Sequence, residues 1–121
     1  MFQETLKIAL GHVPGARGAM LIGLDGITVA KAFAEGAASL EGALVAMTAE
    51  LGNVLRKLHR HHELGEMPAP REIALHTDDF CLVGRIVDEY ILLVAVDPAE
   101  DAQTGVRMVR LLAPEVLREM A

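Results

Sequence analysis

Two stretches of this chain, 18–24 (GAMLIGL) and 90–96 (YILLVAV), are almost uninterrupted apolar runs of strand length bounded by turn residues. Runs of this kind read as β-strands covered on both faces. Strands of that type belong in the middle of a sheet with helices packed on either side. No other feature narrows the possible folds as far.

The surrounding segments fill in that layout. Phe2, Leu6, Ala9, Leu10 and Val13 recur at helical spacing and predict a short helix over 2–12, ended by Gly11, Pro14 and Gly15. The first apolar run is followed by Asp25 and Gly26 and then ITVAKAF, a hairpin signal that suggests a two-residue type I′ turn. Ser39 is the expected N-cap of a long helix reaching about His62. Leu40, Leu44, Met47, Leu51, Val54, Leu55 and Leu58 form its sheet-facing stripe. A loop over 63–70 carries Gly65, Pro68 and Pro70. Three strands follow over 71–77, 80–87 and 90–96, then a final helix from about Ala99, which Pro114 should bend or interrupt.

The expected fold class is therefore α+β. A five-stranded, mostly antiparallel sheet lies between helices, in the order α-β-β-α-β-β-β-α and in one domain spanning 1–121. Strands 18–24 and 90–96 should be central neighbours. Strands 27–33 and 71–77, being less apolar, should be edges.

Composition removes several functions. Lys and Arg total 11 against 17 Asp and Glu, a net charge of −6, and only 3% of residues are aromatic. Neither phosphate contacts nor base stacking has the residues it needs, so no nucleic-acid partner is expected. The single cysteine, Cys81, cannot form an internal disulfide and reads as a buried small hydrophobe. There is no signal-peptide pattern and no apolar run near the ~20 residues of a membrane span. The expected location is cytoplasmic, without membrane insertion.

The long helix poses a question. Opposite its Leu/Met stripe it carries Gly42, Val45, Ala46, Ala49, Gly52 and Asn53, with Arg56 at the end. A solvated face is normally charged. Glycine inside a helix costs about 1 kcal/mol relative to alanine, so Gly42 and Gly52 suggest a close backbone approach. The simplest covering element is the same helix from a second copy across a two-fold axis. The alternative is an alanine-rich sequence that has drifted to small residues on an exposed face.

Residues able to carry chemistry are sparse. His59, His61 and His62 beside Glu63 put imidazoles at zinc-like helical spacing, but no further ligand is evident, and cations suit helix C-termini in any case. No metal site, cofactor site or catalytic residue is assigned. Nucleophile elbows, phosphate loops and dinucleotide fingerprints are absent.

The succession VPGARGAMLIGLDGITVA (13–30), the long Leu/Ala-rich helix, the three closing strands and GVRMVRLL (105–112) resemble the Roadblock family of dynein light-chain-type domains. The likeness is greatest to bacterial members that regulate Ras-like small GTPases, and it covers essentially the whole chain. It implies a Roadblock, profilin-like layered fold, with the second helix on one sheet face and the terminal helices on the other. It further implies a homodimer formed through the 40–62 helix and through edge pairing of the third strand, here Glu72, Ile73, Ala74, Leu75 and His76. A GTPase would dock on the paired helices, and any activation would order the GTPase's own switch residues; Arg56 or Arg60 could in principle act as a finger, but nothing in the sequence singles either out. The expected function is a non-enzymatic, homodimeric regulator of a Ras-like small GTPase. The alternative is a dimeric structural adaptor without GTPase contact.

Overall fold

The computed structural model describes residues 2–36, 38–99 and 102–120, apart from the side chains of 38–40, 102 and 120. The elements are α1 (Gln3–His12), β1 (Ala16–Gly23), β2 (Thr28–Phe33), α2 (Ala38–Glu63), β3 (Glu72–His76), β4 (Cys81–Val87), β5 (Tyr90–Val96) and α3 (Ala102–Met120). α2 already begins at Ala38, so Ser39 lies inside the helix and is not its N-cap; the side chains of Ser39 and of Leu40 in the stripe are outside the described residues.

The five strands form one sheet in the order β2-β1-β5-β4-β3, every neighbouring pair antiparallel. The two apolar runs do lie side by side, with Met20 opposite Leu93 and Leu21 opposite Leu92. Strand alternation divides their side chains between two cores. Leu21, Leu92, Val94 and Val96 pack with Leu6 of α1 and with Val109, Leu112 and Val116 of α3. Met20, Ile22, Ile91 and Leu93 pack with Leu51 and Leu55 of α2. One face of the sheet thus carries the terminal helices and the other carries α2.

Glycines serve one of these approaches and one helix end. Gly105 is buried in α3, and a Cβ there would sit 3.3 Å from Val96 Cγ2, so α3 lies close on the sheet. Gly65, at φ 75°, ends α2: its N–H donates to the His62 carbonyl and that of Glu66 to the His61 carbonyl. This is the Schellman pattern, which satisfies the last carbonyls of a helix.

Two expectations change. The β1–β2 hairpin is not a two-residue type I′ turn, because Gly26 (φ 87°) takes a positive φ and Asp25 does not. The Gly26 N–H donates to the Gly23 carbonyl and the Gly23 N–H to the Ile27 carbonyl, while Asp25 Oδ1 accepts the Ile27 N–H at 3.0 Å. Asp25 stabilises the turn through its carboxylate, and only Gly26 needs the left-handed region. Pro114 does not interrupt α3: it lies on the exposed side and the helix continues through it.

Candidate interaction surface

Successive residues of α2 advance by about 100° around its axis, so its contacts fix its rotation. Leu44, Thr48, Leu51, Gly52 and Leu55 are buried against the sheet. One flank is tied to the β1–β2 hairpin. Lys31 Nζ of β2 lies 2.8 Å from Glu41 Oε1, and Arg56 Nη1 donates to the Asp25 carbonyl at 3.2 Å. Arg56 Nη2 also donates to Asn53 Oδ1. On the opposite flank, Met47 packs against the cluster of Phe80 and Leu82 beside β4.

This rotation redistributes the expected second face. Gly42, Ala46, Ala49 and Asn53 do point away from the sheet and are exposed. Gly52 does not. It is buried, and a Cβ there would lie 3.4 Å from Ile22 Cδ1 and 3.9 Å from Gly26 Cα. The close approach inferred for Gly52 is made by this chain's own hairpin. Val45 is half-buried against the core, and Arg56 is occupied with the hairpin turn. Val54, placed by its spacing in the sheet-facing stripe, is 49% exposed, as is Leu64 at 65%. Val54 lies on the Met47 flank with Ala43 and Glu50. Apolar spacing alone does not distinguish Val54 from Gly52, because the rotation of the helix is set by the hairpin packed over Gly52.

β3 is the edge beside that flank. Ile86 N–H donates to the Arg71 carbonyl and Thr77 N–H to the Phe80 carbonyl, so residues 71 and 77 aim their backbone groups at β4. By alternation 73 and 75 do the same, and Glu72, Ala74 and His76 aim theirs outward. Ala74, Leu75 and His76 are exposed, and Ile73 packs on the α2-facing core. Glu72 is held from the other face of the sheet: Arg110 Nε donates to Oε1 at 2.5 Å, Arg110 Nη2 to Oε2 at 2.7 Å and Arg85 Nη1 to Oε1 at 2.9 Å. Mainly through the Arg110 hydrogen bond, these partners hold the Glu72 carboxyl below its ordinary range, against the opposing effect of burial. Only its tertiary partners mark Glu72 as special; its position in the strand pattern does not.

The histidines serve the end of α2. His59 Nε2 lies 3.0 Å from Glu63 Oε1, His61 Nδ1 2.6 Å from Glu66 Oε2, and His62 Nδ1 3.0 Å from the Met67 carbonyl. Each ring has a different partner, and among the described residues no three His, Cys, Asp or Glu converge as metal ligands would. Cys81 is 3% exposed, and burial pushes its thiol pKa up. Among the described residues no helix is long and apolar enough to cross a membrane.

No protein-family model and no curated protein sequence matches the chain. Solved structures do. MglC from Myxococcus xanthus superposes with a TM-score of 0.73 at 26% identity, covering 98% of each chain. A Roadblock/LC7 domain from Streptomyces avermitilis superposes at 0.75 with 18% identity, over 97% of this chain and 95% of that one. The gliding protein mglB from Thermus thermophilus superposes at 0.70 with 20% identity, over 92% and 84%. The chain has the Roadblock/LC7 fold, and the resemblance read from its sequence holds over nearly its whole length.

Proposed function

We propose that this chain is a homodimeric, non-enzymatic regulator that binds a Ras-like small GTPase in the cytoplasm. The observation that supports this reading is the pairing of two open surfaces on one side of the molecule. The outward side of α2 bears Gly42, Ala46, Ala49 and Asn53, and beside it lies the outward-facing backbone of β3. A second copy paired along β3 would set the two α2 helices side by side, so that their outward small side chains form one broad platform for a GTPase. The likeness to MglC, mglB and Roadblock/LC7 structures supports the same reading.

Arg56 is hydrogen-bonded to the Asp25 carbonyl and to Asn53. An arginine so engaged suits a platform that orders the GTPase's own switch segments better than one that inserts a finger. The reading requires no cofactor, metal or nucleic acid.

The test uses purified Ras-like GTPases loaded with GDP or with a non-hydrolysable GTP analogue. Sedimentation of the free protein should give twice the chain mass. Binding should differ between nucleotide states, and Ala46→Arg should reduce it while leaving the circular dichroism spectrum intact. A stable dimer that binds no GTPase in either state would favour the structural-adaptor reading.

A further inference from the structure

We infer that the edge strand recognises its own copy in one register, centred on Ala74, with Glu72 of each chain facing His76 of the other. The inference rests on the homodimer reading above and specifies how the two chains meet.

The outward backbone groups of β3 belong to Glu72, Ala74 and His76. An isologous antiparallel pair must be symmetric about a point on the strand. Symmetry about Ala74 pairs Ala74 with itself and Glu72 with His76 twice over. These three facing pairs are all of the hydrogen-bonded kind, with two N–H···O=C bonds each, about six in total. Sliding the copy so that Ala74 faces Glu72 sets His76 opposite Pro70, which has no N–H to donate. Sliding it the other way, with Ala74 facing His76, sets Glu72 opposite Asp78, a like-charge pair. A shift by one residue would present backbone groups already bonded to β4. The Ala74 register is the one that meets none of these obstacles.

Side chains agree with it. Glu72 accepts two hydrogen bonds at Oε1 and one at Oε2. A carboxylate has about four acceptor sites, so Oε2 retains one for the imidazole of the second copy's His76. Arg85 and Arg110 hold the carboxylate in place for it. On the α2-facing side the same register sets Ile73 opposite Leu75, which is 36% exposed in the single chain. It also brings the flank of Ala43, Met47 and Val54 toward its counterpart, giving cover to the half-exposed Val54.

The experiment combines cross-linking with sedimentation at pH 7. In a Cys81→Ala background, Ala74→Cys should form a disulfide-linked dimer under mild oxidation. Hydrogen-bonded antiparallel pairs place Cα atoms about 5.5 Å apart, within disulfide range. Thr28→Cys on the opposite edge should not cross-link. His76→Glu should weaken dimerisation about tenfold, because the two-fold axis repeats the like-charge pair, while His76→Lys retains it. His76 is exposed, so both variants should keep the wild-type circular dichroism spectrum. A dimer in sedimentation that neither cross-links at position 74 nor responds to His76→Glu overturns this register and leaves the homodimer reading standing. A monomer at every concentration overturns both.

Discussion

Glu72 and Arg110 join the edge strand to the last helix through a two-pronged ion pair, Nε to Oε1 at 2.5 Å and Nη2 to Oε2 at 2.7 Å. The two residues are 38 positions apart in sequence. Bidentate geometry fixes the carboxylate in both position and orientation. Since β3 has a neighbouring strand on one side only, this clamp and Arg85 are what hold its polar face in place.

The clamp has a pH signature. Its hydrogen bonds keep the Glu72 carboxyl below its ordinary range. A carboxyl whose folded pKa lies below its unfolded one stabilises the fold above the unfolded value, and that contribution disappears as pH falls through the folded value. Arg110→Ala should therefore raise the Glu72 titration midpoint, followed by carboxyl-carbon NMR. It should lower Tm modestly at pH 7, Arg110 being largely exposed. The Tm gap should close as pH drops below the ordinary carboxylate range. An unmoved Glu72 midpoint in the variant would refute the clamp.

Gly52 and Ala46 give opposite outcomes to the same substitution. Gly52 sits under Ile22 and Gly26, so Gly52→Arg forces the hairpin away from α2 and should destabilise the fold by about 2–4 kcal/mol. Ala46 faces outward, and Ala46→Arg should change stability by no more than about 0.5 kcal/mol. Urea unfolding of the two variants at equal concentration makes the comparison. Equal stabilities would mean that α2 is rotated differently on the sheet.

The same pair of residues shows where reading the sequence stops. The strand order was legible because 18–24 and 90–96 are apolar on both faces, and only a central position covers both. The long helix and its bounds were legible from periodicity and from Gly65. Its rotation was not. Periodicity counts Val54 as apolar and Gly52 as neutral, yet Ile22 and the hairpin pack over Gly52 while Val54 faces solvent. Likewise Asp25 and Gly26 announce a hairpin, but the carboxylate of Asp25 caps the Ile27 N–H and selects a longer turn. Glu72 reads in sequence as one more edge-strand residue, since its partners Arg85 and Arg110 come from other elements.

Cys81 offers a probe of opening. Its side chain lies in the core between β4 and the terminal helices, and burial pushes the thiol pKa up. The thiolate is the reactive form. At pH 8 the folded protein should react with a disulfide reagent far more slowly than the protein in concentrated urea. The native-state rate should rise in Gly52→Arg in step with its lost stability. A fast rate in the wild-type folded state would mean that the α3-facing core admits solvent.

Thr48 tests whether a buried hydroxyl stabilises α2. Its Oγ1 donates to the Leu44 carbonyl at 2.6 Å, one turn back in the same helix, and lies 3.6 Å from Met20 Sδ. The Leu44 carbonyl is also the acceptor for the helical N–H of residue 48. Removing the hydroxyl therefore orphans no buried group, whereas keeping it obliges a polar atom to stay among Leu44 and Met20. Replacing a buried polar partner by an apolar group of similar shape is near neutral or stabilising when nothing is left unsatisfied. Thr48→Val should thus stay within about 1 kcal/mol of wild type, with the sign toward greater stability. Thr48→Ala leaves a cavity against the sheet and should lose about 1–2 kcal/mol. Denaturant midpoints at constant m-value separate the two. A Thr48→Val loss as large as that of Thr48→Ala would show that the hydroxyl, and not the methyl packing, holds α2 to Met20.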